Sequence, residues 1–189
     1  LKVFKKATLA VLTLGVITTL GLSKESDATI YNGGRISADH PIYYSSSVSS
    51  YGYGTHFDQA RNNWNVLSTQ VNLWKNASST SQTDDYYIGI ATNPPGKVNL
   101  GLTSFYDSTG TPVANYQTWA YSTVTLYDNS MRQLSMTPEQ IIGNATHEVG
   151  HSISLDHPAI SVSSIMNSGV QSIPPTTYDK NDVYSAWGE

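Results

Sequence analysis

The 189-residue chain contains no cysteine. Disulfides, thiolate nucleophiles and cysteine-ligated metal sites are thereby excluded, so the fold must be held by packing and, where a metal is used, by nitrogen and oxygen donors. Charge is scarce as well: 13% of residues are Asp, Glu, Lys or Arg, about half the usual share. The balance is negative, with a formal net charge of −4. Such a surface does not suit nucleic acid or anionic lipid. No internal repeat and no long low-complexity tract interrupts the chain, which reads as a single domain behind a leader.

That leader is the one long apolar stretch. Lys2, Lys5 and Lys6 precede an apolar run from Ala7 to Leu22, and Ser26-Asp27-Ala28 closes it with small residues. A basic start, an apolar centre and a small-x-Ala ending describe a secretory signal peptide cleaved after Ala28. The alternative is a membrane anchor. Thr13, Gly15, Thr18 and Thr19 break up the run, which is short for a span. Cleavage removes four Lys and two acidic residues, leaving six basic against twelve acidic ones and a net charge of −6. The expected mature domain, 29–189, is long enough for one real core. It is expected outside the cell, secreted or associated with the cell wall, with no stable membrane association.

Three of the five histidines lie in one stretch, His147-Glu148-Val149-Gly150-His151-Ser152-Ile153-Ser154-Leu155-Asp156-His157. On an α-helix, residues four apart sit about 40° apart around the axis and about 6 Å along it, so the imidazoles of His147 and His151 can reach one ion. Glu148, one step round, points beside the pair, where its carboxylate can meet a water activated by the metal. Two helical nitrogens, one base and an open position are the parts of a zinc hydrolase. On a continuous helix His157 would lie about 15 Å beyond His147 and could not share the ion. For it to ligate, the helix must stop near Ser152 to Ser154 and the chain must turn back.

His147, Glu148, Gly150, His151, Leu155 and His157 match the extended motif HExGHxLGLxH, and the stretch resembles the zinc motif of the metzincin metallopeptidases in its matrixin-like form. One position departs: the family glycine, which leaves the helix in a left-handed conformation, is Ser154 here, at a cost of about 1 kcal/mol. The resemblance implies an α+β, zincin-like fold with a twisted, mostly parallel sheet, an antiparallel edge strand, a long backing helix, an active-site helix and a C-terminal helix. It implies one catalytic Zn2+ on His147, His151 and His157, with Glu148 as general base. Met166, in Ser164-Ile165-Met166, falls where the family has a methionine turn beneath the ligands, a packing role. Some metzincins carry a tyrosine two residues after that methionine as an extra ligand or oxyanion partner, but Ser168 stands there. By the same resemblance Ile173 and Tyr178, in the loop from Gly169 to Tyr178, shape the pocket for the residue after the scissile bond. Asp84, Asp85, Asp107 and Asp128 are candidates for structural Ca2+, with turn formation as the alternative. The thiol-based latency of many matrixins is excluded.

The remaining pattern supplies the elements. Arg35 to Tyr44 reads as a first strand between loops at Gly33-Gly34 and Ser45 to Gly54. Thr55 can cap a long helix whose apolar stripe runs Phe57, Ala60, Trp64, Leu67, Val71 and Trp74. Asp85 to Ala91 and Leu100 to Tyr106 read as strands. Thr118 to Asp128 alternates, and the resemblance makes it the edge strand to which an extended substrate adds. Thr137, Pro138 and Gln140 fit the N-cap, N1 and N3 positions of a capping box that starts the metal helix. Asp179 can cap a final helix from Lys180 to Trp187.

The expected function is that of a secreted, monomeric zinc endopeptidase acting on peptide or protein substrates, without nucleic-acid partners. The residues leave open an exported zinc-binding interaction or toxin-like module without proteolysis, and a cell-wall amidase. Retention of Glu148 weighs against a purely structural metal, which has no use for a base beside an open position.

Overall fold

The computed structural model of the protein describes residues 29–189; the predicted signal peptide, 1–28, lies outside the described residues. The strands are β1 (Gly34–Arg35), β2 (Asp39–Tyr44), β3 (Asn72–Lys75), β4 (Asp84–Gly89), β5 (Gly101–Tyr106), β6 (Pro112–Val113), β7 (Thr118–Trp119) and β8 (Tyr121–Tyr127). The helices are α1 (Ser46–Ser50), α2 (Gly54–Asn65), α3 (Asp128–Gln133), α4 (Pro138–Ser152) and α5 (Thr177–Trp187). The main sheet has the order β3-β2-β4-β8-β5-β6. Its first four strands are parallel, while β5 runs antiparallel to both β8 and β6. The described chain is therefore α+β, with a mostly parallel mixed sheet and five helices.

Burial in the sheet follows the pleat. Ile42 on β2, Tyr86 and Ile88 on β4, and Val124 and Leu126 on β8 alternate with more exposed neighbours. Alternate residues of a strand point to one face, so this face carries the core. Phe57, Ala60 and Trp64 of α2 and Ala145 and Val149 of α4 complete it. The two helices are also tied by polar bonds: Trp64 Nε1–H donates to Thr146 O at 2.8 Å, and Asn63 Nδ2–H to Thr146 Oγ1 at 3.0 Å. Among the described residues no helix is long and apolar enough to cross a membrane.

Several local expectations are corrected. The backing helix ends at Asn65 instead of reaching Trp74. There the Asn65 side chain takes the Leu73 N–H at 2.8 Å and donates to Leu73 O at 3.1 Å, acting as a strand partner for β3. The apolar spacing past Trp64 thus belonged to two elements in succession. Leu73 is buried on β3, and Trp74 faces solvent. The serine-rich stretch after Tyr44 holds the short helix α1, pinned by buried Val48. Thr118 to Asp128 is not an edge strand. It breaks at Ala120 into β7 and β8, and β8 is paired on both sides. Alternation reports a half-buried face, and it is silent on whether one or both edges are hydrogen-bonded. The final helix is capped by Thr176, with Asp179 at N3 closing the box.

One end of the buried sheet face is charged. Asp84, fully buried, accepts hydrogen bonds from Arg35 Nη1, from His40 Nε2 at 2.9 Å and from Ser122 N–H at 2.7 Å. Burial alone would raise its carboxyl, but Arg35, His40 and the Ser122 N–H together hold it well below the usual carboxylate range. A depressed folded value means that Asp84 stabilises the fold above its unfolded pKa of about 4, and that this contribution fades as pH falls towards the folded value. Asp84→Asn strands Arg35 in the interior and should cost about 3 to 5 kcal/mol in urea unfolding at neutral pH. The wild type should lose stability steadily below about pH 4, and the variant should lose less over that range. Parallel acid profiles would remove Asp84 from the account.

Candidate metal centre

Helix α4 begins as the sequence predicts. Thr137 Oγ1 accepts the Gln140 N–H at 3.4 Å, Gln140 Oε1 accepts the Thr137 N–H at 2.9 Å, and Pro138 sits in the first turn. The helix ends at Ser152. Beyond the Ile153 cap, Ser154 N–H donates to His151 O at 3.1 Å and Leu155 N–H to Gly150 O at 3.1 Å. This pair of bonds is the Schellman termination, which requires a left-handed residue between the cap and Leu155. Ser154 has φ of 77°. A side chain there costs about 1 to 2 kcal/mol, and Ser154 offsets it with a bond that glycine could not make. Its Oγ accepts the Arg35 N–H at 2.9 Å in a buried setting. The chain past the turn is then held from the other side: Tyr31 N–H donates to Ser154 O, Asp156 N–H to Thr29 O, and Ile30 bridges Leu155.

This reversal brings His157 back to the other two histidines. His147 Nε2 lies 3.1 Å from His151 Nε2 and 3.0 Å from His157 Nε2. The three rings are mutually inclined, with centroids 4.6 to 5.0 Å apart. On their far sides, His147 Nδ1 lies 3.0 Å from Ile165 O and His151 Nδ1 2.8 Å from Leu155 O. A carbonyl only accepts, so both Nδ1 atoms carry the hydrogen and both Nε2 atoms present bare lone pairs to each other. Protons do not relieve this contact near neutral pH. Burial, together with the neighbouring histidine charges, lowers His147 to about 4 and His151 to about 3. A cation between these nitrogens would relieve the facing lone pairs, and the donor set fits a metal ion. Among the described residues this is the single His, Asp or Glu group able to hold one.

Glu148 is 7% exposed. Its Oε2 accepts from Thr103 Oγ1 at 2.9 Å, a hydroxyl also within 2.8 Å of Glu148 O. Burial pushes its carboxyl up to about 7, against the Thr103 bond. A Cβ at Gly101 would lie 2.6 Å from the Glu148 side chain, so the strand approaches the carboxylate closely only because residue 101 is glycine. The cleft above the histidines has a volume of about 330 Å³, and Glu148 is the only acidic or basic side chain other than histidine in its lining.

The floor is equally constrained. Met166 is fully buried, and a Cβ on Gly150 would lie 2.5 Å from its sulfur and 2.9 Å from the Trp64 ring. Asp179 takes the Ile165 N–H at 3.2 Å, the Ser164 hydroxyl and the Thr176 N–H at 2.6 Å, tying the Ser-Ile-Met turn to the start of α5. That turn places the Ile165 carbonyl on His147.

The structure does not bring Ile173 and Tyr178 into this cleft. Ile173 lines a separate groove against α2 and the start of α4, and the Tyr178 hydroxyl bonds Thr29 Oγ1 at 2.6 Å. Asn144, Ser168, Gly169 and the run from Val98 to Thr103 form the wall instead. The four aspartates weighed for calcium do not converge. Asp84 is in the buried cluster, Asp85 binds Ser79 and Thr83, Asp107 closes its own turn onto Thr109 and Thr111, and Asp128 pairs with Arg132. Tyr31, Gly101 and Thr103 had no signal in the sequence, because each acts through a contact with a distant segment.

Fold and site together define a three-histidine group that could hold a metal ion, with a buried carboxylate in the same cleft, on an α+β scaffold. Comparison with known protein families found no matching family, and comparison with curated proteins found no match.

Ser154→Ala leaves the buried Arg35 N–H without an acceptor and should destabilise by about 1 to 3 kcal/mol. Ser154→Gly loses the same acceptor but relieves the left-handed strain, and should be more stable than the alanine variant by roughly 1 kcal/mol. Urea unfolding of the pair measures this, and equal stabilities would show that position 154 carries no backbone strain.

Proposed function

We propose that this protein is a secreted zinc endopeptidase of the metzincin type, exported by its N-terminal signal peptide. One observation carries the reading: three imidazole Nε2 atoms converge beyond a broken helix, with the buried Glu148 carboxylate beside them on the cleft side. Three imidazole nitrogen donors without a thiolate suit zinc, and three protein ligands leave a position open for chemistry. Met166 under Gly150, and the Ile165 carbonyl on His147, support the resemblance to the metzincin floor.

His147, His151 and His157 would hold a zinc ion, which would supply the Lewis acidity needed to activate a water and polarise a peptide carbonyl. Glu148 accepts the proton of that water and passes it to the nitrogen of the leaving amine. Thr103 and Gly101 keep the carboxylate in one place while it does so. Strand β5 orients the substrate. Its outer edge from Gly101 to Ser104 pairs with no other described strand, and β6 meets it only at Phe105 and Tyr106. An extended peptide can add there, main chain to main chain, over the histidines. The expected substrate strand therefore belongs on β5 and not on the segment from Thr118 to Asp128. A non-proteolytic module would be favoured if Ser154 disrupted the turn, but its bond to the Arg35 N–H gives serine a role in that turn.

Purified protein should contain one zinc per chain and cleave casein or gelatin in a chelator-sensitive way. Glu148→Ala should keep the zinc and lose hydrolysis, by about three orders of magnitude or more; full activity in that variant would sink the assignment. His157→Ala should lose metal, and retained stoichiometric zinc would show that another group is the third ligand. Gly101→Ala pushes the Glu148 side chain aside, so kcat should fall with zinc content unchanged. Activity on peptidoglycan with none on proteins would favour the amidase reading.

A further inference from the structure

The far sides of the two helical histidines are not held alike. The Nδ1–H of His147 meets one acceptor, Ile165 O at 3.0 Å. His151 Nδ1 has two neighbours, Leu155 O at 2.8 Å and the Tyr31 hydroxyl oxygen at 2.9 Å. Because the carbonyl can only accept, the hydrogen sits on Nδ1 and Tyr31 meets it as a second acceptor. The Tyr31 ring lies at 30° to the imidazole with centroids 5.7 Å apart, and it packs edge-on against Phe105 at 5.6 Å and Trp119 at 6.0 Å. Its backbone N–H is bonded to Ser154 O at 3.0 Å. One residue, 120 positions before His151, therefore touches the second histidine through its side chain and the turn leading to the third through its main chain.

We infer that Tyr31 is a positioning residue of the metal centre: its phenol oxygen shares the His151 Nδ1–H with Leu155 O, fixes the ring orientation and keeps Nε2 as the bare lone pair. Leu155 O belongs to the same turn that Ser154 strains, so alone it holds the ring only as firmly as that turn is held. Tyr31 adds an anchor that is braced by two aromatic rings on β5 and β7. An acceptor on the outer nitrogen of a metal histidine also raises the basicity of the inner one, and loss of such a partner typically costs about 10- to 100-fold in metal affinity. The inference rests on the three histidines being metal ligands and does not depend on the peptidase reading.

Tyr31→Phe removes one oxygen and keeps the ring stack. Zn2+ affinity of the purified protein, measured by competition with a chromophoric chelator, should fall about tenfold, the lower end of that range because Leu155 O remains. The visible absorption bands of the Co2+-substituted protein should shift, and the urea midpoint of the metal-free variant should stay at the wild-type value. Ser154→Ala is the comparison, since it removes a hydroxyl bonded to the Arg35 N–H and not one bonded to the His151 ring, and it should shift the Co2+ bands less than Tyr31→Phe does. Wild-type affinity and bands in Tyr31→Phe would overturn the inference. So would a loss of affinity equal to that of Ser154→Ala with unshifted bands, because Tyr31 would then act through the turn alone. A wild-type protein that binds neither metal overturns the metal reading together with this inference, whereas metal binding without hydrolysis counts only against the peptidase reading.

Discussion

The reversal of the chain at Ser154 is the constraint on which the three-histidine cluster depends. Without it α4 would carry His157 away from the other two histidines, and the pair on the helix would have no third partner. The turn is assembled from both sides. Helix carbonyls of Gly150 and His151 take the N–H groups of Leu155 and Ser154, and residues 29–35 bind the outer side of the loop through Tyr31, Thr29 and Arg35. The strain of a left-handed serine is thus offset by a tertiary hydrogen bond, which explains how the fold tolerates a side chain where glycine is the ordinary solution.

Two buried acids show how the same chain tunes charge in opposite directions. Asp84 is surrounded by Arg35, His40 and a backbone N–H, and stays ionised at the cost of ordering several groups around it. Glu148 is buried with one hydroxyl for company, so desolvation dominates and its proton affinity rises towards neutrality. The first arrangement holds the sheet together. The second leaves a carboxylate able to exchange a proton near neutral pH, beside the three histidines.

The cleft is built from close approaches as much as from donors. Gly101 lets β5 touch Glu148, and Gly150 lets Met166 and Trp64 press against α4 from below. Both glycines matter through the space they leave, since neither has a positive φ. The antiparallel strand β5 therefore serves three ends: it extends the sheet from β8 towards β6, positions the carboxylate through Thr103, and offers a free edge from Gly101 to Ser104 over the histidines.

Local sequence determined what local physics decides. The capping box from Thr137 to Gln140, the phase of His147 and His151 on one helical face and the need for a break near Ser154 were all legible, because each depends on residues within a few turns of one another, whereas the packing role of Met166 was read from the resemblance. The length of α2 was misread, because Leu67, Val71 and Trp74 continued a helical spacing by coincidence, whereas the Asn65 side chain bonds Leu73 on β3 instead. The edge strand was misassigned, because alternation carries no information about neighbours, and Ile173 and Tyr178 were placed in the cleft by analogy while packing sent them elsewhere. Tertiary structure alone decided that Tyr31, Gly101 and Thr103 belong to the centre. Their roles arise from contacts across 45 to 120 positions of chain, and a separation of that size leaves no periodicity, spacing or composition in the sequence from which it could be read.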